Sequence, residues 1–175
     1  MSGSILFLDL ATTMGFCEGI PGEKPTSGKL RLASEGSSSA AKHGGLLAFL
    51  GTRLTAFRYR AVIYEAPRDP RHMGSKTTMN TAMMLIGMTG VVEAVCHQTG
   101  HHRVMTSDVH AIRKHLLGYR PQTGDAKREV IAKLRTLGFD PADDNEADAI
   151  AGWLHASATL EPRCATNTSP MFYRT

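Results

Sequence analysis

The stretch that most constrains this chain is Ile5-Leu6-Phe7-Leu8-Asp9, close to its N-terminus. Four apolar residues in succession, without polar alternation, suit a strand covered on both faces better than a half-exposed one. Asp9 is out of place there. Aspartate is depleted in strands, and a buried carboxylate is costly unless it is paired or coordinates a metal. A plainer reading has Asp9 capping the Thr12-Thr13 turn through its side chain. Two further acids occupy comparable settings far downstream: Glu65, ending Ala61-Val62-Ile63-Tyr64, and Asp148, inside an alanine-rich helix. Three separated acids at element ends or on an inward helix face suggest a constructed metal site.

The 175 residues are enough for one domain with a substantial core. A hydrophobic content of 42% and a charged content of 21% describe an ordinary globular protein. The apolar stretches read as too short, or too interrupted by glycine and polar residues, to span a bilayer, so no membrane role is expected. Met1-Ser2-Gly3-Ser4 lacks the basic region and apolar core of a secretory signal. Cys17, Cys96 and Cys164 have no zinc-like spacing, which suggests a reduced, cytoplasmic setting. The net charge of +4 is modest. If the acids hold metal, the remaining surface is more basic than the total implies, which suits a polyanionic partner.

Hydrophobic periodicity orders the elements. Phe16–Ile20 reads as a second strand returning from the first, and Thr26–Leu32 as a third, more polar one, together an antiparallel meander. A helix follows Gly36-Ser37-Ser38-Ser39, with Leu46, Leu50, Leu54 and Phe57 on one stripe. Residues 61–66 form a strand stopped by Pro67, and a basic loop, 68–76, comes next. Thr77 to about Gln98 is the longest helix, apolar around most of its circumference. It needs a second covering surface, either a neighbouring helix or a dimer partner. A short strand over 102–106 precedes three helices: 108–117 stopped by Gly118, 124 to about 137 ended by Gly138, and 143 to about 158. The domain is assigned to residues 1–159 and a C-terminal tail to 160–175. The order is a meander followed by parallel strands with crossovers, a mixed α/β layout.

The last helix carries the most informative segment, Asp143-Asp144-Asn145-Glu146-Ala147-Asp148. Asp143 and Glu146 have capping-box spacing, so structure alone accounts for them. Asp148 lies in the helix interior, where no capping role exists. Asp144 and Asn145 share its face, four and three residues earlier, while Glu146 points roughly the opposite way. Clustered carboxylates without histidine or cysteine suit Mg²⁺ or Mn²⁺ rather than zinc. Two such ions about 4 Å apart activate a water and stabilise the leaving oxygen of a phosphodiester.

Asp9 ending the first strand, Glu65 ending the strand after the first helix, and Glu146-Ala147-Asp148-Ala149 near the C-terminus together resemble the RuvC family of Holliday junction resolvases. These belong to the ribonuclease H-like nucleases, and the chain looks closest to shorter phage-type or RuvC-like members. The resemblance spans roughly Ser4 to Ala158. It implies an α/β, ribonuclease H-like fold with a five-stranded mixed sheet in order 3-2-1-4-5. It also implies a homodimer and two-metal-ion nicking of four-way or other branched DNA. Asp9, Glu65 and Asp148 match the metal-binding acids. The position three before the last acid, usually acidic or histidine, is Asn145. Either Asn145 ligates through its amide oxygen or Asp144 substitutes for it. The resemblance assigns the dimer interface to the long apolar helix and the junction-opening loop to 68–76, with Arg68, Arg71, His72, Met73 and Lys76. Lys127 resembles a basic residue near the scissile phosphate, and Arg128 is a DNA-contact candidate beside it.

The plainer reading of these cations, and of Arg113, Lys114 and Arg120, is a solvated surface. His155 and the pair His101-His102 read as satisfied core or surface residues, and Trp153 as core. Two other function classes were weighed. A non-catalytic junction-binding or assembly protein is favoured by Asn145 alone. An actin-like ATPase or kinase fragment is suggested by Asp9-Leu10-Ala11-Thr12-Thr13. That turn lacks the expected glycine, and such proteins need two domains.

Overall fold

The computed structural model describes residues 3–67, 78–122 and 124–166. The expected loop residues Arg68, Arg71, His72, Met73 and Lys76 lie outside them, as do residues 167–175 of the tail. Five strands form one sheet: β1 (Ile5–Asp9), β2 (Thr13–Gly19), β3 (Thr26–Arg31), β4 (Ala61–Glu65) and β5 (Val104–Ser107). Their spatial order is β3-β2-β1-β4-β5, as expected. β1, β2 and β3 make the antiparallel meander, and β4 and β5 add in parallel beside β1. Among the described residues there are also five α-helices: α1 (Ser39–Ala56), α2 (Met79–Gln98), α3 (Val109–Leu117), α4 (Ala126–Thr136) and α5 (Asp144–Leu160). A 3-10 turn, Pro162–Cys164, follows α5 within the expected tail.

Ile5, Leu6, Phe7 and Leu8 are fully buried, as a centrally placed strand requires. Alternation divides them between two cores. Ile5 and Phe7, with Ala61 and Ile63 of β4, meet Ile112 and Leu116 of α3, Val130 and Leu134 of α4, and Ile150 and Trp153 of α5. Leu6 and Leu8, with Val62 and Tyr64, meet Leu46, Leu50 and Leu54 of α1 and Met84, Met88 and Val92 of α2.

Local chemistry sets the helix ends. Ser38, Thr78 and Asp108 cap the N-termini of α1, α2 and α3 with side-chain acceptors. Gly118 and Gly138 stop the chain after α3 and α4 at positive φ, +83° and +85°. Phe57 departs from the expected stripe on α1. It is the C-cap, in extended conformation, and half-exposed, because the helix ends at Ala56.

α5 approaches the sheet unusually closely. A Cβ on Gly15 of β2 would overlap the Asn145 carbonyl oxygen and lie 2.7 Å from its carbon and 3.1 Å from the Ala149 methyl. On the helix side, a Cβ on Gly152 would run into the Phe7 ring. Ala149 faces Gly15 at this seam, and Ala147 and Ala151 are buried as well. Gly15→Ala should therefore destabilise the fold by about 3 kcal/mol, since rigid backbone cannot yield to the added methyl. Chemical denaturation followed by circular dichroism measures this, and a loss below about 1 kcal/mol would mean that the helix can ride upward freely.

α2 corrects one expectation. Its length and composition do suffice for a bilayer span. It packs instead with one face in the α1-side core. Within it, Met84 and Met88 are buried, whereas Met79, Met83 and Ile86 are 67%, 61% and 39% exposed. Periodicity alone cannot tell which of two apolar faces is turned inward. A charge at Met84 or Met88 would therefore disrupt the protomer rather than an outer surface.

Candidate active site

Strand alternation places Asp9 and Glu65 on one face. Ile5 and Phe7 point toward α5, so Asp9, the next residue of that parity, does so too. Ala61 and Ile63 do the same for Glu65. Asp9 is paired with Gly15 on β2, and Glu65 with Ser107 on β5. The parallel register of β1 and β4 runs to Leu8↔Tyr64, one step before the two acids. The upper edge of the sheet is therefore a row: Gly15, Asp9, Glu65, Ser107. Because Gly15 has no side chain, the first turns of α5 lie over one end of that row.

Two contacts from β3 fix the start of α5. Ser27 Oγ donates to Glu146 Oε1 at 2.7 Å, and Lys29 Nζ to Asp143 Oδ2 at 2.7 Å. Asp143 is the N-cap and accepts from the Glu146 N–H at 3.0 Å. Glu146 reaches back to the Ala142 N–H at 2.9 Å, one residue earlier than a strict capping box. Burial works against ionising Asp143, but Lys29, the Glu146 N–H and the Asn145 side chain hold its carboxyl below the ordinary value. Asp143 and Glu146 are thus committed to structure, and Asp148 is free of any capping role, as their spacing suggested.

The remaining acids feel one another. Burial first, then the charges of Glu65 and Asp148, push Asp9 up to about 8, with Asp144 adding to the effect and Lys127 opposing it. Burial also raises Asp148, against the pull of Arg113 and Lys127. Lys127 is ion-paired with Asp144, and that bond raises its own pKa. Of the two candidates for a fourth ligand, Asp144 is held by Lys127, while Asn145 has its carbonyl against Gly15 and its side chain toward Asp143. Among the described residues, no three His, Cys, Asp or Glu side chains stand together as a metal-ligating cluster. The donor chemistry nonetheless fits a hard divalent cation. It is all carboxylate oxygen, partly buried, and mutually repulsive, so a cation would relieve what the protein's own Lys127 and Arg113 relieve only in part.

Several site residues were not legible as such. Arg113, grouped with the surface cations, is half-buried on α3 and acts on Asp148, with its Nε buried and lacking a hydrogen-bond partner. Ser107 and His155 meet just below the row, at 2.9 Å. Their sequence settings carry no signal, because they come from a strand end and a helix 48 residues apart. Arg128 is paired with Asp125 and exposed at the start of α4.

The raised pKa of Asp9 has a definite consequence. The folded protein keeps a proton that the unfolded chain releases near 3.8, so stability from this group is complete below that value. It is lost as the pH rises through about 8. Chelator-treated protein should therefore melt progressively lower from about pH 5 to about pH 8, and Asp9→Asn should flatten that decline. Thermal melts across this range provide the check, with parallel declines for parent and variant counting against the assignment.

No protein-family model matches the chain, and no curated protein sequence does. Solved structures do. Thermus thermophilus RuvC superposes with a TM-score of 0.68 at 20% identity, covering 91% of this chain and 96% of that one. T. thermophilus RuvC in complex with a Holliday junction substrate gives 0.72 at 20% identity, covering 94% and 98%. The yeast mitochondrial Holliday junction resolvase Ydc2 gives 0.57 at 12% identity, covering 91% and 82%. The chain has, over nearly its whole length, the ribonuclease H-like fold of RuvC resolvase structures.

Proposed function

We propose that this protein is a metal-dependent, structure-selective DNA endonuclease that nicks four-way or other branched DNA. The observation that carries the reading is the row of Asp9 and Glu65 beneath the helix bearing Asp148, where burial and mutual repulsion make a cation the natural counter-charge. The likeness to Holliday junction resolvase structures supports the substrate class. A cytoplasmic location fits the same reading.

In it, Asp9, Glu65 and Asp148 hold Mg²⁺ or Mn²⁺, two ions per site, with Asn145 or Asp144 as a further oxygen donor. The ions supply an activated water and charge stabilisation for the leaving oxygen. Lys127, exposed and bound to Asp144, can exchange that carboxylate for a phosphate oxygen and steady the scissile group. Arg113 holds Asp148 toward its ionised, ligating form. The apolar floor of Phe7 and Ile63 keeps the effective dielectric low around the acids. Beyond Glu65 in the chain, the cations Arg68, Arg71 and Lys76, with His72 and Met73, are the proposed junction contacts, and Lys127 and Arg128 are further DNA-contact candidates.

Paired nicks require two sites related by symmetry, and the exposed Met79, Met83 and Ile86 of α2 are the proposed homodimer seam. Met83→Glu with Ile86→Glu should give folded monomers that nick only singly. Sedimentation velocity and a cruciform-plasmid assay read the two effects, and an unaltered mass would remove α2 from the interface.

The decisive test incubates labelled four-way junction, duplex and RNA–DNA hybrid with Mg²⁺, Mn²⁺ or chelator. Cleavage is expected for the junction with metal. Asp148→Asn should lower it by at least about a hundredfold while junction binding persists. The second reading, a junction-binding protein without cleavage, is favoured by Asn145 and by the engagement of Asp144 with Lys127. Tight junction binding with no cleavage in either metal would select it.

A further inference from the structure

We infer that His155, through its hydrogen bond to Ser107, is a positioning residue that sets the separation of Glu65 from Asp148. The inference rests on the metal-dependent reading above and extends it to residues outside the acid set. α5 lies mainly across β1 and β2 and meets β4 only at its margin. Close backbone packing at Gly15 therefore settles where Asp148 stands relative to Asp9, whereas the β1–β4 pairing stops at Leu8↔Tyr64, and Glu65, beyond it, is held by its pairing with Ser107 of β5.

A polar tie spans the remaining gap. Ser107 is the β5 partner of Glu65, and its carbonyl accepts the Ala66 N–H at 2.9 Å, so it anchors the chain immediately after the acid. Its hydroxyl meets His155 Nδ1 at 2.9 Å. His155 lies on α5 two turns beyond Asp148, on the same face. Behind it, the His115 ring of α3 packs edge-on, with centroids 5.5 Å apart, which restrains rotation of the imidazole. Apolar packing is incomplete at this place: a cavity of about 50 Å³ is lined by Met105, Ser107, His155 and Leu160, among others. Across a void, a directional hydrogen bond determines spacing better than contact does.

The test uses the full chain as parent, Ser107→Ala, His155→Ala, the double variant, His155→Asn and Asp148→Asn. Two quantities are read: Mn²⁺ affinity by calorimetry, and hydrogen exchange of the Ala66 amide in chelator. Each single alanine variant should weaken Mn²⁺ binding about tenfold, the low end of the cost of losing support behind metal ligands. The double variant should lose no more than either single one, because both remove the same bond. Ala66 should exchange faster in all three. His155→Asn, which returns a polar atom near the Nδ1 position, should recover both readouts. Junction binding in chelator should stay at the parental level, which separates loss of positioning from loss of fold. Unchanged Ala66 exchange in Ser107→Ala and His155→Ala would overturn the tie, as would losses that multiply in the double variant. Equal Mn²⁺ affinity of parent and Asp148→Asn would instead overturn the metal reading, and the positioning role with it.

Discussion

The contact on which the rest of this structure depends is the near-touching of the α5 backbone and β2 at Gly15. A helix normally stands off a sheet by the thickness of two layers of side chains. Here Gly15 supplies none, Gly152 opens room for Phe7, and the small Ala149 faces Gly15. That closeness brings Asp148, about one turn into α5, near enough to Asp9 for its charge to act there. Ser27 and Lys29 then hold the first turn laterally through Glu146 and Asp143. Any side chain at position 15 would lift the turn that carries the acids.

The cost of this arrangement is electrostatic. Asp9 lies above an apolar floor, and burial first, then the charges of Glu65 and Asp148, push its carboxyl up to about 8. Lys127 and Arg113 approach from α4 and α3, so both flanking helices contribute counter-charge to a site whose acids come from β1, β4 and α5.

On the opposite face of the sheet, Leu46, Leu50 and Leu54 of α1 meet Met84, Met88 and Val92 of α2 over Leu6 and Leu8. Polar ties edge that core: His43 of α1 bonds the Met84 carbonyl at 2.9 Å, Tyr64 donates to Glu93 at 2.9 Å, and Arg53 pairs with Glu18. α2 then turns a second apolar stripe outward, through Met79, Met83 and Ile86. One face of the sheet thus carries Asp9 and Glu65, and beyond the other α2 leaves Met79, Met83 and Ile86 exposed.

Much of this was legible in the chain itself. The unbroken apolar run before Asp9 required a central strand, because only burial on both faces tolerates it. The meander, the crossovers and the helix stops at Gly118 and Gly138 followed from local spacing, since turns and helix ends are satisfied within a few residues. Asp143 and Glu146 could be set aside as capping residues for the same reason. What local spacing could not reveal was anything decided by a second element. The burial of Met84 rather than Met83 depends on where α1 lies, and both faces of α2 are apolar. The role of Gly15 depends on a helix 130 residues away, and a glycine in a strand has many causes. Arg113 and His155 looked like ordinary surface or core residues, because their partners, Asp148 and Ser107, are brought to them by the crossing of α3, α5 and β5. The sequence by itself determined which residues carry charge and which strands must be central. Only the tertiary structure decided which charges meet, because that depends on helix-to-sheet distances set by contacts far apart in the chain.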